Sequence, residues 1–310
     1  MLRKFTRLFG TINLLLFLAA CGSGAAPQPA PGGKLQVMAT TTIVGDVVQN
    51  VAGYLAEVSI LLPVGVDPHS FEPNPKDAAK ISGASLVFAN GAGYEEFLKP
   101  LLSNAGSKAE VVSLADGIKL INASDLKPSE GDSHPGGDPH TWFDPDNVQV
   151  WAQTIAQKMG AADPAHAAEY AANAQKYQAQ LKELDAWIRG QVTQVPEANR
   201  QLVTDHDSFT YFAARYSFKL VGAVIPGYSS VSQPSAQELA GLEDAIRKLG
   251  VKAVFVGETA GPVLVQRVAQ DTGVKLVTLY GESLSKPAGP APTYLELMRY
   301  DVNAIVSVLK

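Results

Sequence analysis

Eight short apolar runs divide most of this chain, and they restrict the folds that it can adopt. Each run is rich in β-branched residues and almost continuously apolar, as in strands that are covered on both faces. Helical patterns lie between them, for example at Pro75–Ser82, Ala236–Lys248 and Gly261–Asp271. The runs are 35–40, 56–62, 85–90 and 110–114 in the first half, and 201–205, 218–224, 251–256 and 275–280 in the second. The alternation predicts an α/β fold of two lobes, each with a roughly four-stranded parallel sheet flanked by helices.

One long helical segment, Pro164–Val192, separates the two groups of runs. Asp163 followed by Pro164 is typical of a helix N-cap with proline at the first helical position. An apolar face follows from the spacing of Tyr170, Tyr177, Leu181, Leu184 and Ile188. At 1.5 Å per residue the helix would be about 40 Å long. We expect one rigid helix that joins the lobes; two shorter helices within one domain are the alternative.

The N-terminus has the pattern of an exported lipoprotein. Basic residues come first, and the apolar stretch from Leu14 to Ala20 is too short to span a bilayer. Leu18-Ala19-Ala20-Cys21 resembles a bacterial lipobox, in which the signal is removed and the cysteine thiol is acylated. Cys21 is the only cysteine, so it has no disulfide partner within the chain. We predict a lipid on Cys21; an ordinary secretory signal is the alternative.

A change in composition after the cysteine separates a tether from the folded part of the chain. Residues 22–34 are rich in Gly, Ala and Pro, which is typical of a flexible tether. The predicted organisation is a signal peptide at 1–20, a tether at 21–34, an N-terminal lobe at 35–162, a linking helix at 163–194 and a C-terminal lobe at 195–310.

The formal net charge is −5 and no basic patch stands out, which argues against nucleic-acid binding.

Three of the five histidines follow predicted strands. His69 lies in VDPHSFEPNP, His140 in GDPHTWFDP and His206 in VTDHDSF. Ligands of open α/β sheets bind outside the carboxyl ends of the strands, and neutral imidazole is a common ligand of zinc and similar metals. The pattern predicts a shared metal site. His134 lies in a Gly/Pro/acid loop and is first interpreted as a loop residue without a metal; transient metal collection with Glu130 and Asp132 is the alternative. His166, at the start of the long helix, is interpreted as solvated.

A carboxylate from the second lobe should complete the site. Glu282 in LYGESLS is the first candidate, and Glu258 in FVGETAG is the alternative. Three imidazoles and one carboxylate suit tetrahedral Zn²⁺, whereas Mn²⁺ would favour more oxygen ligands. Ligating histidines usually donate their second ring N–H to a carboxylate or carbonyl. The candidates for that role are Asp205, Asp207 and Asp144, the last of which is first interpreted as a helix N-cap.

Four stretches, in order along the chain, carry a family resemblance: 67–98, 138–148, 203–216 and 293–305. Together they resemble the zinc- and manganese-binding solute-binding proteins of bacterial ABC importers, often called cluster A-I. The resemblance implies two lobes joined by one long helix, with metal held in the cleft by His69, His140 and His206. The family's fourth ligand is usually an aspartate, and Glu282 departs from that pattern; a water molecule in the fourth position is the alternative. His206 favours zinc, because manganese-binding members often have a carboxylate there.

The resemblance also implies a function and a location. The chain would be an extracytoplasmic, lipid-anchored protein, a monomer, that delivers zinc, or alternatively manganese, to a membrane ABC permease. We expect no enzymatic activity: HExxH is absent, and no glutamate adjoins a ligand histidine as a general base. A zinc hydrolase, a binder of siderophores or cobalamin, and an adhesin are the other hypotheses.

Overall fold

Strands form where the sequence places its eight apolar runs. The computed structural model describes residues 33–121 and 137–310. Two four-stranded sheets, all parallel, have the orders β2-β1-β3-β4 and β6-β5-β7-β8. The strands are β1 Leu35–Ala39, β2 Ala56–Ile60, β3 Leu86–Ala89, β4 Glu110–Ser113, β5 Gln201–Thr204, β6 Lys219–Ala223, β7 Ala253–Gly257 and β8 Lys275–Leu279. The predicted fold class is confirmed, and the two sheets share one strand order.

Several helices begin after a residue whose side chain caps them. Asn74 and Asp77 form a reciprocal capping box with proline at the first helical position, and Ser235 and Glu238 form another. The helices are α1 Thr42–Ala52, α2 Pro75–Ser82, α3 Leu98–Ala105, α4 Pro145–Ala162, α5 Ala167–Val192, α6 Thr210–Tyr216, α7 Ala236–Leu249, α8 Pro262–Thr272 and α9 Tyr294–Leu309. No helix in the described ranges has the length and hydrophobicity needed to cross a membrane.

The long helix between the sheets is confirmed, with a different start. A 3-10 turn, Pro164–His166, precedes the 26 residues of α5, which extend about 39 Å. The side chain of Asp163 does not cap this turn. It accepts hydrogen bonds from His166 Nδ1 at 2.7 Å and from the Tyr170 hydroxyl at 2.9 Å. Asp163 therefore stands at the predicted N-cap position, before Pro164, but its carboxylate does not bond to the helix backbone. The predicted apolar face of the helix is buried as expected.

A continuous core connects the two sheets. Its buried members include Val37 and Phe88 from the first sheet, Leu184 from α5 and Phe255 from the second sheet. Helix α5 packs beside α4 and also contacts α1 and α9. Smaller separate clusters pack on other surfaces of each sheet. Because interiors pack tightly, a large rotation of one sheet against the other would have to break this shared core.

Candidate metal centre

Loops that follow four strands bring three imidazoles and one carboxylate together. His69 follows β2, His140 follows β4 at a distance, His206 follows β5 directly and Glu282 follows β8. One ligand atom from each residue lies within 4.8 Å of the ligand atoms of the other three. The side chains are almost fully buried, with exposures of 5%, 0%, 3% and 2%. The structure therefore gathers the four predicted residues in one buried cluster between the sheets.

The two Asp-Pro-His motifs form the same local turn. Oδ1 of Asp67 accepts the backbone N–H of His69 at 2.9 Å, and Oδ1 of Asp138 accepts that of His140 at 2.8 Å. The intervening proline has no N–H to compete for the carboxylate. The other oxygen of Asp67 accepts a bond from Ser230 Oγ of the second lobe at 2.5 Å. The turns thus fix the backbone of two cluster histidines.

Carboxylates also orient two of the imidazole rings. Nδ1 of His140 lies 2.8 Å from Asp138 Oδ1, and Nδ1 of His206 lies 3.1 Å from Asp205 Oδ1. In the neutral ring, a proton on Nδ1 leaves Nε2 with a free lone pair. Both Nε2 atoms therefore face the cluster as potential metal ligands.

The other candidate acids have different partners. Asp207, one of the three alternatives, accepts the backbone N–H of Gly227 through Oδ2 at 2.9 Å. Asp144 caps α4 through the Asp146 N–H at 2.8 Å, which confirms the first interpretation of that residue. Of the three candidates, only Asp205 accepts a bond from a cluster imidazole.

Glu258 lies beside the cluster and holds its backbone. Its oxygens accept the N–H groups of Gly281 at 2.8 Å and Ser283 at 3.0 Å, on either side of Glu282. Burial raises the pKa of Glu258 to about 8. Glu282, rather than Glu258, therefore occupies the fourth position of the cluster.

Hydrogen-bond acceptors converge at the centre. Glu282 Oε1 lies 3.4 Å from His140 Nε2 and 3.2 Å from His206 Nε2, and the two nitrogens are 3.3 Å apart. Zn–N bonds of about 2.0–2.1 Å in a tetrahedron place ligand atoms about 3.3–3.4 Å apart. His69 Nε2 is farther away, 4.0 Å from Glu282 Oε2. Three of the four groups are thus already spaced for one small tetrahedral ion.

The charges of the cluster are strongly coupled. Burial alone would raise the pKa of Glu282, but the imidazoles of His140 and His206 hold it well below its usual range. Burial alone would lower the pKa of His206, but Asp205 and Glu282 raise it well above its usual value. The cluster therefore requires positive charge between its acceptors, and either protons or a metal ion can supply it.

The remaining predicted residues lie elsewhere. His166 is partly exposed and bonds to Asp163, away from the cluster. His134 and Cys21 lie outside the described residues.

Sequence reasoning missed three residues around the cluster. Asp138 was detectable, because it lies two residues before His140, as Asp67 does before His69. Tyr94 and Trp142 pack against His140 with ring centroids 5.8 and 5.2 Å away. No local pattern marks Tyr94, which approaches Glu282 from 188 positions away in the chain.

Comparisons with known proteins agree with this arrangement. The family model described as ZnuA, zinc-uptake complex component A, periplasmic, matches residues 37–308. The manganese-binding lipoprotein MntA of Halalkalibacterium halodurans is 32% identical over 309 residues, covering 99% of each chain. The iron-binding protein YfeA of Yersinia pestis is 29% identical, covering 97% of this chain and 96% of its own.

Solved structures give the same picture. The periplasmic metal binding protein from Candidatus Liberibacter asiaticus, in its Mn-bound and Cd-bound structures, superposes with a TM-score of 0.78 at 29% identity. Each structure covers 89% of this chain and 100% of the solved chain. The similarity thus spans both sheets and the long helix between them.

Proposed function

This chain belongs to the ZnuA family, the periplasmic component A of zinc-uptake complexes, and from that premise we propose its function. We propose that the protein captures a divalent transition-metal ion outside the cytoplasm and delivers that ion to a membrane ABC importer. The proposed ligands are His69, His140, His206 and Glu282.

This proposal rests mainly on the short distances between potential ligand atoms at the centre of the cluster. Two imidazole Nε2 atoms and Glu282 Oε1 lie 3.2–3.4 Å from one another inside the protein. Buried acceptors at such distances repel one another unless a cation or protons lie between them. A metal ion satisfies all of them at once.

Zinc is the ion that we assign first. Three imidazoles and one carboxylate suit tetrahedral Zn²⁺, and imidazole-rich sites also rank Zn²⁺ above Mn²⁺ in affinity. Manganese is the second candidate, since MntA and the Liberibacter protein are named or described as manganese-binding. Direct competition between the two ions decides between them.

A binding protein fits the cluster better than a zinc hydrolase. A catalytic zinc site keeps an open position for water, and Glu282 occupies the fourth position here. Glu258, the other nearby carboxyl group, accepts two backbone N–H groups and is not among the four grouped ligand residues.

Delivery requires that the importer distinguish the loaded from the empty protein. The shared core limits large lobe rotation, so we infer that metal binding orders the cleft loops and tilts the lobes slightly. Hydrogen exchange should then slow in loops 66–75 and 281–290 when metal binds. Identical protection in the two states would contradict this mechanism.

We also infer attachment to the outer face of a membrane through a lipid on Cys21. Mass spectrometry of the membrane-associated protein should find an acylated N-terminal cysteine. Cys21→Ser should appear in the soluble fraction with unchanged metal affinity, and a membrane-bound variant would contradict the assignment.

Metal analysis is the first test of the proposed function. Protein purified without added metal should carry about one transition-metal ion per chain, and Zn²⁺ should displace Mn²⁺ at equal concentration. Cells lacking the protein should take up less of the same metal from a limiting medium. A chain that binds neither ion would refute the proposal.

A further inference from the structure

Tyr94 packs against the candidate metal centre, in the loop after β3. Its ring makes edge-to-face contacts with His69 at 5.1 Å and Trp142 at 5.2 Å between centroids. Only 3% of the residue is exposed. The tyrosine is therefore part of the wall that closes the cluster from solvent.

The two carboxylate oxygens of Glu282 have different partners, and the Tyr94 hydroxyl is one of them. It donates a hydrogen bond to Glu282 Oε2. The other oxygen, Oε1, faces His140 Nε2 at 3.4 Å and His206 Nε2 at 3.2 Å. Oε1 is thus directed to two of the three imidazoles, whereas Oε2, which lies 4.0 Å from His69 Nε2, accepts the bond from the tyrosine.

This division affects which ion the cluster can hold. A carboxylate that offers one oxygen to three imidazoles gives four ligands, the number that zinc prefers in closed sites. A carboxylate that offers both oxygens gives five ligands and a harder, more oxygen-rich site, which suits manganese better.

We propose that Tyr94 is a specificity-determining residue that keeps Glu282 monodentate, so that the site favours four-coordinate Zn²⁺ over Mn²⁺. This inference rests on the proposed metal-binding function of the same cluster. Tyr94 acts through Glu282 and does not itself contact the ion.

The tyrosine is held rigidly enough for this role. The adjacent Glu95 is buried and accepts the backbone N–H groups of Asn90 at 2.7 Å and Gly91 at 3.0 Å. Gly91 has a φ of +86°, and a Cβ there would lie 2.0 Å from Ser113 Oγ. Glu95 and Gly91 thus fix the backbone of the loop that carries Tyr94. The Tyr94 hydroxyl therefore has little freedom to turn away from Glu282.

The carboxylate is held in the same way from the second lobe. Glu258 accepts the backbone N–H groups on both sides of Glu282. Because backbone anchors restrain both partners, the Tyr94–Glu282 contact is preorganised and is not a chance approach of two flexible side chains.

The test compares the wild-type protein with Tyr94→Phe and with the control Tyr170→Phe. The control removes a similar hydroxyl, which donates to Asp163 Oδ2 at 2.9 Å on the long helix. Dissociation constants for Zn²⁺ and Mn²⁺ are measured separately, and X-ray absorption of the zinc-loaded proteins gives the number of nitrogen and oxygen ligands.

Wild type should show four ligands, and Tyr94→Phe should show five. The preference for Zn²⁺ over Mn²⁺ should fall about tenfold in Tyr94→Phe, equivalent to about 1.4 kcal/mol, and should not change in the control. A preference within twofold of wild type, or equal weakening of both ions, would overturn the inference.

Three outcomes separate failure of the inference from failure of the proposed function. If Tyr94→Phe does not fold, the wild-type ligand number decides, because a bidentate carboxylate in wild type refutes the inference. If wild type binds neither ion, the proposed function itself fails, and the inference fails with it. A wild type that binds metal without a changed preference in Tyr94→Phe overturns the role of the tyrosine alone.

Discussion

The orientation of His140 depends on Asp138, and this pair gives a quantitative test of the centre. Asp138 Oδ1 accepts both the backbone N–H and the ring Nδ1–H of His140, each at 2.8 Å. Neither side chain has exposed surface. The carboxylate therefore sets the tautomer that turns Nε2 to the cluster, and it makes that nitrogen more basic.

Asp138→Asn changes charge with little change in shape. The backbone N–H of His140 still needs an acceptor at the Oδ1 position, so the amide oxygen should occupy it. The tautomer is then preserved, and the loss comes mainly from the weaker, neutral acceptor. Groups that orient a metal ligand typically contribute about 10–100-fold to affinity, or about 1.4–2.7 kcal/mol. We expect Asp138→Asn to weaken zinc binding within that range.

Chelator competition at constant pH measures this loss, with Asp163→Asn as the matched control. Asp163 also bonds a histidine ring, His166 Nδ1 at 2.7 Å, but that ring is 42% exposed and lies away from the cluster. The control should keep wild-type affinity. Affinity of Asp138→Asn within twofold of wild type, or an equal loss in Asp163→Asn, would refute the orientation argument.

Three further predictions address the ligands, the protonation of a buried acid and the shared core. His206→Ala should weaken zinc binding by more than about 100-fold, beyond the range of an orienting group, in a calorimetric titration; full affinity would contradict its role as a ligand. Asp46 accepts the Tyr294 N–H, and burial raises its pKa from 3.8 to about 6, so its stabilising contribution is present below pH 4 and lost as pH rises through 6. Asp46→Asn should therefore gain up to about 3 kcal/mol relative to wild type between pH 4 and pH 7.5 in urea unfolding, and equal effects at both pH values would contradict this. Leu184→Ala should lower the free energy of unfolding by about 2–5 kcal/mol in one transition, whereas separate transitions for the two lobes would contradict a continuous core.

Local pattern predicted much of the fold. Strands β1 to β8 lie in the eight apolar runs. The central strands β1, β3, β5 and β7 are mostly buried, as strands covered on both faces should be, whereas the edge strands β2, β4, β6 and β8 are partly exposed. The interpretation of Asp144 as a helix N-cap is also confirmed, at the start of α4. Asp163 shows the limit of that method, since its carboxylate bonds to His166 and Tyr170 instead of the helix backbone.

The candidate ligands could be predicted for a topological reason. The carboxyl ends of parallel strands lie at one edge of a sheet, so polar residues directly after strands tend to meet there. His206 and Glu282 follow β5 and β8 in this way. The sequence alone left Glu258 open as the fourth group, because it too follows a strand.

Contacts between distant segments required the tertiary structure. Packing of the two sheets around one core determined that Glu282 enters the cluster, while Glu258 supports its backbone. The same packing brings Tyr94 to Glu282 across 188 positions. Periodicity and capping report only neighbours within a few residues, so the sequence determined the elements and the candidate ligands, while long-range packing decided how those ligands are oriented and held.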